Sequence, residues 1–131
     1  MPDIIVTTPR SRMAEAAAEA EDIKKWGGGY YIRGLGPLRP TIAAGDRVYY
    51  VENGYVRGFA LVSSGPFRVG GWKAYYEVHL DATTWRWIRP RPMTGFQGWR
   101  YAPAGWRDAV EVLGDWLAPR PDVWTLGVRP K

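Results

Sequence analysis

The sequence contains no cysteine, which excludes disulfides, thiolate catalysis and cysteine-ligated metals. Histidine is almost as scarce. The single His79 excludes a histidine metal cluster, and with no partner for a catalytic dyad it reads as a surface or hydrogen-bonded residue. No apolar run approaches the roughly 18 residues of a membrane span. The opening "MPDIIVTTPR" also lacks the basic start and apolar stretch of a secretory signal. These absences predict a cytoplasmic protein, treated as a monomer, with no cofactor, no metal and no membrane contact. Acid is missing locally as well: no carboxylate stands between Asp81 and Asp108, an interval that holds Arg86, Arg89, Arg91, Arg100 and Arg107. Lysine is rare, four against fourteen arginines. That bias suits the gripping of phosphates or flat rings, although GC-rich coding also produces it.

What is present is aromatic and basic. Phe, Trp and Tyr make up 15% of the chain, with eight Trp and eight Tyr, and the formal charge is +5. Its 131 residues suit one core and one domain spanning 1–131. "DIIVTT" (3–8) predicts a strand, and Pro9 predicts a helix start with Thr8 or Ser11 as cap. Met13, Ala16, Ala17, Ala20 and Ile23 then share one helical face, and "WGGG" (26–29) ends the helix. Asn53-Gly54 between β-forming runs predicts a two-residue hairpin turn. Pairing across it places Tyr49, Val51, Val56, Gly58, Ala60 and Val62 on one face, with Val48, Tyr50, Tyr55, Phe59 and Leu61 on the other. Two apolar faces predict a hairpin in a small barrel covered by helices. Strands are expected at 70–80 and 83–90, with Pro90 and Pro92 breaking the second. A second amphipathic helix is expected from Trp106 to Leu117, then a last strand around Val123 to Val128.

Three stretches carry candidate chemistry. "TTPRSR" (7–12) puts Thr8, Arg10, Ser11 and Arg12 at a helix start, where free amides favour an anion, although ordinary capping explains them equally well. "WGGGYYIRG" (26–34) lacks the spacing of phosphate loops, but Trp26, Tyr30, Tyr31 and Arg33 beside three glycines suit the wall of a pocket for a flat ligand. "MTGFQGWRY" (93–101) sets Phe96 and Trp99 beside Gln97 and Arg100, stacking surfaces next to hydrogen-bonding groups. For most single rings the plainer reading is core. For the acid-free interval as a whole the charge asymmetry favours nucleic acid.

The element order, the Gly-Asp-x-Val strand of "AAGDRVYYVENGYVRGFALV" and the "GFQGWRY" before a closing helix resemble the PUA-like superfamily of PUA, ASCH, EVE and YTH domains. The resemblance implies an α+β fold, a mixed pseudo-barrel of about five to six strands flanked by two main helices. It also implies a pocket between the first helix and the barrel that takes RNA or a modified base, single-stranded or flipped out of DNA. The expected function is a nucleic-acid-binding module rather than an enzyme. The alternative within the same superfamily is an ASCH-like hydrolase of a modified nucleoside or RNA, with Lys24 or Lys25 as the activating group. Tyrosines stand where such hydrolases carry a Thr, and the downstream acid is missing. A third reading is a protein-partner module built on exposed aromatics.

Overall fold

The computed structural model describes residues 2–121. The expected strand around Val123 to Val128 lies outside the described residues. The chain runs β1 (Ile4–Thr8), a single 3-10 turn (Arg10–Arg12), α1 (Met13–Lys25), β2 (Tyr30–Gly36), β3 (Arg47–Glu52) and β4 (Tyr55–Val69). It continues through β5 (Tyr75–Pro92), β6 (Trp99–Tyr101), α2 (Trp106–Ala109) and β7 (Val112–Asp115). The strands form one curled mixed sheet, a half-barrel in the order β2-β5-β4-β3-β1-β6, with β7 also pairing β5. β1 and β3 are parallel, joined by a crossover through α1 and β2, and the other pairings are antiparallel. The described chain is therefore α+β, and none of its helices is long and apolar enough to cross a membrane.

The hairpin of β3 and β4 sets the register of the sheet. Asn53 and Gly54 both adopt positive φ, 49° and 84°, as a type I′ turn requires. Both faces of the hairpin are covered, as its composition predicts. One core contains Ile4, Val6, Val48, Tyr50, Ala60 and Val62, and the other contains Ile5, Tyr49, Val51, Val56, Phe59 and Trp106. The assignment of faces differs from simple alternation. Tyr50 pairs with Gly58 and Val51 with Val56, so Arg57 is an extra residue in β4. A bulge of one residue exchanges the faces beyond it. Gly58, Ala60 and Val62 consequently join Val48 and Tyr50, while Phe59 and Leu61 join Tyr49 and Val51.

Two expected boundaries change. β5 runs unbroken from Tyr75 to Pro92. Pro90 and Pro92 are tolerated because they lie past the last bond to the β7 side, from the Arg89 amide to the Glu111 carbonyl at 2.8 Å. The expected second helix stops at Ala109, and Val112–Asp115 instead pairs with β5. Gly114 permits a close turn there, since a Cβ at that position would meet the Ala118 Cβ at 2.7 Å. Helix α2 contributes mainly Trp106, which packs edge-on to Tyr49 with ring centroids 5.2 Å apart.

The start of β1 is tied to α2 by charge. The Arg107 guanidinium donates to both oxygens of the buried Asp3 carboxylate, at 2.8 and 2.7 Å, and the Arg47 amide donates to the same group at 2.8 Å. Burial alone pushes the Asp3 carboxyl up, but these bonds and the two arginine charges outweigh it and hold the group below its ordinary value. The Asp of the Gly-Asp-x-Val motif is likewise structural: Asp46 is buried and accepts the Ala43 amide at 2.8 Å.

Two outcomes are expected. A Cβ at residue 58 would lie 2.4 Å from the Trp85 ring and 2.5 Å from the Arg86 carbonyl oxygen, so Gly58→Ala is expected to cost about 2 to 3 kcal/mol in urea denaturation. An unchanged midpoint would contradict that contact. Asp3 titrates lower in the folded protein than in the unfolded chain, so its stabilisation is full above about pH 4 and is lost as pH falls through the lowered folded value. Asp3→Asn is expected to cost about 1 to 2 kcal/mol at neutral pH, a modest figure because Arg107 is partly solvated, and to flatten the acid limb of the stability profile.

Candidate functional site

Helix α1 has an apolar face that does not pack on the sheet. None of its residues is buried; Ala16, Ala20 and Ile23 instead line a cavity of about 550 Å³ between the helix and the half-barrel. That volume lies within the range of small-molecule pockets, about 300 to 1,000 Å³. The short alanine side chains leave the helix unable to reach the sheet, whose surface here is raised by rings. The opposite wall consists of Tyr31, Tyr50, Trp85, Trp87 and Trp116.

The strands position these rings. Tyr50 comes from β3, while Trp85 and Trp87 stand two residues apart on β5 and so share one face. Trp85 meets Tyr50 edge-on at 5.6 Å and Trp87 edge-on at 5.1 Å, an arrangement that holds each ring by its neighbour's edge. Trp85 occupies the space that Gly58 leaves empty. Trp87 is fixed by its indole N–H, which donates to the Ala118 carbonyl at 3.1 Å. Gly28 makes a similar close approach after the helix, where a Cβ would meet Thr83 at 2.7 Å, while Gly27 and Gly29 face open space.

The polar groups of this wall are incompletely bonded. Arg33 uses Nη2 to bridge the seam between β2 and β1, donating to the Thr7 carbonyl at 2.8 Å, and its guanidinium lies 5.6 Å from the Tyr50 ring centre. Its Nε, however, has no hydrogen-bond partner, and neither do the Tyr50 hydroxyl and the Trp85 indole nitrogen. All three residues line the cavity, although the unpaired atoms themselves are enclosed, and buried polar groups rarely go unpaired. The Tyr31 and Tyr50 hydroxyls face each other without completing a hydrogen bond for Tyr50. Burial pushes Tyr31 well up and Tyr50 up to about 12, so both phenols stay neutral.

The sequence candidates divide. Thr8, Arg12, Tyr31 and Arg33 line the cavity. Ser11 is exposed and does not cap the helix, whose N-cap is Arg12 without a side-chain bond. The structure describes Arg10 only as part of the 3-10 turn. Trp26 and Tyr30, 84% and 71% exposed, face away from the cavity wall. The aromatic loop lies elsewhere. Phe96 packs against the second core, Arg100 stacks over it at 4.3 Å, Gln97 is exposed, and the Trp99 indole donates to the Leu38 carbonyl at 2.8 Å. Lys24 lines the cavity with Glu21 3.7 Å away, whereas Lys25 is exposed. No Ser, Cys or His is among the described lining residues. His79 sits near Glu77 and Phe67, outside the cavity.

The arginines of the acid-free interval are each engaged within the fold. Arg86 donates to the Thr83 and Trp85 carbonyls, Arg89 to Glu111, and Arg107 to Asp3, while Arg91 and Arg100 stack on Trp106 and Phe96. Each of these arginines thus has a structural role in the fold, and Arg89, Arg100 and Arg107 remain partly exposed. Sequence reasoning took Trp85 and Trp87 only as rings of the acid-free stretch and did not name Tyr50, Trp116, Glu15 or Glu19 as site residues. The available signal was Gly58 in an apolar strand, which marks a place where a large ring approaches the backbone.

Removing the Tyr50 hydroxyl deletes a buried group that has no partner. Tyr50→Phe is expected to leave the ligand-free protein as stable or about 1 kcal/mol more stable in urea melts. A loss of about 1 kcal/mol would show that the hydroxyl is already satisfied.

No family model, curated protein or solved structure matches this chain, so its function is argued from the cavity itself.

Proposed function

We propose that this chain is a nucleic-acid-binding module that takes an unstacked base into the cavity beneath α1. The observation that carries the reading is the cavity wall: five rings, Tyr31, Tyr50, Trp85, Trp87 and Trp116, around a space of about 550 Å³ whose lining also holds Thr8, Glu15 and Glu19. Rings beside polar side chains match a nucleobase, which presents a π-face and a polar edge. Arg12 and Lys24 at the two ends of the helical wall supply cations for flanking phosphates. A curled sheet with a cavity under its first helix also supports the PUA-like resemblance read from the sequence. Binding is favoured over hydrolysis, because among the described residues the lining carries no Ser, Cys or His nucleophile and Lys24 stands beside Glu21.

Fluorescence anisotropy with labelled single-stranded RNA and DNA over a salt series tests this. Binding is expected, and it is expected to weaken as salt rises. Tyr31→Ala is expected to lower affinity about tenfold, the scale of one lost stacking contact of about 1 to 3 kcal/mol. Arg12→Ala is expected to weaken binding several-fold and to reduce the salt slope by about one. Arg100→Ala, outside the cavity, is expected to change nothing. No salt-sensitive binding to either strand type, or a larger loss from Arg100→Ala than from Tyr31→Ala, would refute the proposal.

A further inference from the structure

We infer that the base favoured by this cavity is positively charged, an N-alkylated cationic nucleobase in preference to its neutral parent. The inference rests on the base-pocket reading above and adds the charge class of the ligand.

The helical wall carries, in chain order, Arg12, Glu15, Glu19 and Lys24. Two carboxylates therefore occupy the middle of the wall, with a cation at each end. Positions 15 and 19 are one turn apart on the same helix face, where like charges repel. Among the described residues, no Lys or Arg lies within ion-pair distance of either carboxylate. Glu52, the third carboxylate of the lining, is by contrast paired with Arg120.

Across the cavity, the Tyr50 and Trp87 rings already carry the Arg33 and Arg120 guanidiniums, each 5.6 Å from the ring centre, which leaves Tyr31 and Trp85 among the rings for a ligand cation. A cation held between these rings and the carboxylates is attracted from both sides, and desolvation strengthens the ring contribution. A neutral base gains stacking and hydrogen bonds but not that charge attraction. A ring made cationic by alkylation that also carries N–H donors suits both the rings and the Glu15 and Glu19 carboxylates. A guanine-type base alkylated on a ring nitrogen is the simplest member of that class. Its phosphate would then reach Arg12 or Lys24 at an end of the wall.

The test is a tryptophan-quenching titration of the full chain with 7-methylguanosine 5′-monophosphate and with guanosine 5′-monophosphate, under conditions where the methylated ring is cationic. The methylated nucleotide is expected to bind about tenfold tighter or more, the scale of desolvated cation–π contacts. Glu15→Gln with Glu19→Gln, on an exposed helix that folds without them, is expected to bring the ratio of the two affinities towards one. Equal affinities, or a preference that survives the double substitution, would overturn the inference while leaving a neutral-base pocket intact. Tighter binding of a trimethyllysine peptide than of either nucleotide would overturn it in favour of a protein partner. If neither nucleotide binds and no oligonucleotide binds, the base-pocket reading falls and this inference with it.

Discussion

The Trp85 ring lies against the backbone of β4 because residue 58 has no side chain, and the floor of the cavity follows from that contact. A Cβ there would stand 2.4 Å from the indole. With Trp85 seated, Tyr50 and Trp87 meet it edge-on, and the three rings raise the inner surface of the half-barrel just where α1 passes. The apolar side chains that the helix turns to this space are Ala16, Ala20 and Ile23, with Glu15, Glu19 and Lys24 beside them. A space between this largely short-chained helix face and a wall of tryptophan and tyrosine follows from side-chain size. The bulge at Arg57 belongs to the same device, since it brings Gly58 opposite Tyr50.

The arrangement sets stability against binding. A helix with no buried residue gains little from packing, and the unpaired Arg33 Nε, Tyr50 hydroxyl and Trp85 N–H each cost free energy in the ligand-free protein, roughly 1 to 3 kcal/mol apiece. Such costs are tolerated because the double core around β1, β3 and β4 and the Asp3–Arg107 pair stabilise the rest of the sheet. A ligand that fills the cavity covers the helix face, and by binding the folded chain it stabilises it. Arg33 closes the seam between β2 and β1 through Thr7 and lies over the Tyr50 ring.

Much of the fold was legible wherever a local rule decides the outcome. Asn53-Gly54 marks its hairpin because only a turn with two positive φ values fits there, and the apolar runs on both sides of it announce a sheet covered on both faces. The first strand and first helix were visible from β-branching and alanine periodicity. The errors came from tertiary competition. Nothing local announces that Arg57 is an extra residue, and so the faces of β4 were exchanged. The stretch after Trp106 has helical spacing, but β5 offered it an open edge, and Gly114 allowed the tight turn that completes β7. The cavity lining was partly legible: Tyr31, Arg33, Thr8 and Arg12, picked out from glycines and helix polarity, are among the residues that line it. The loop of Phe96, Gln97, Trp99 and Arg100 has the composition of a pocket but is used to pack the second core and to anchor β6. Composition reports which groups are present, whereas register decides which of them meet.

The central claim is that the space under α1, and not another aromatic surface, receives a base. The most direct measurement follows the tryptophan indole N–H signals by NMR in ¹⁵N-labelled protein as a short single-stranded oligonucleotide is added. Trp85, Trp87 and Trp116, whose rings line the cavity, are predicted to shift, Trp85 most. Trp99, bonded to Leu38, and Trp72, 89% exposed at the tip joining β4 to β5, are predicted to stay in place. Shifts confined to Trp72 or Trp99, with Trp85 unmoved at saturation, would contradict the account.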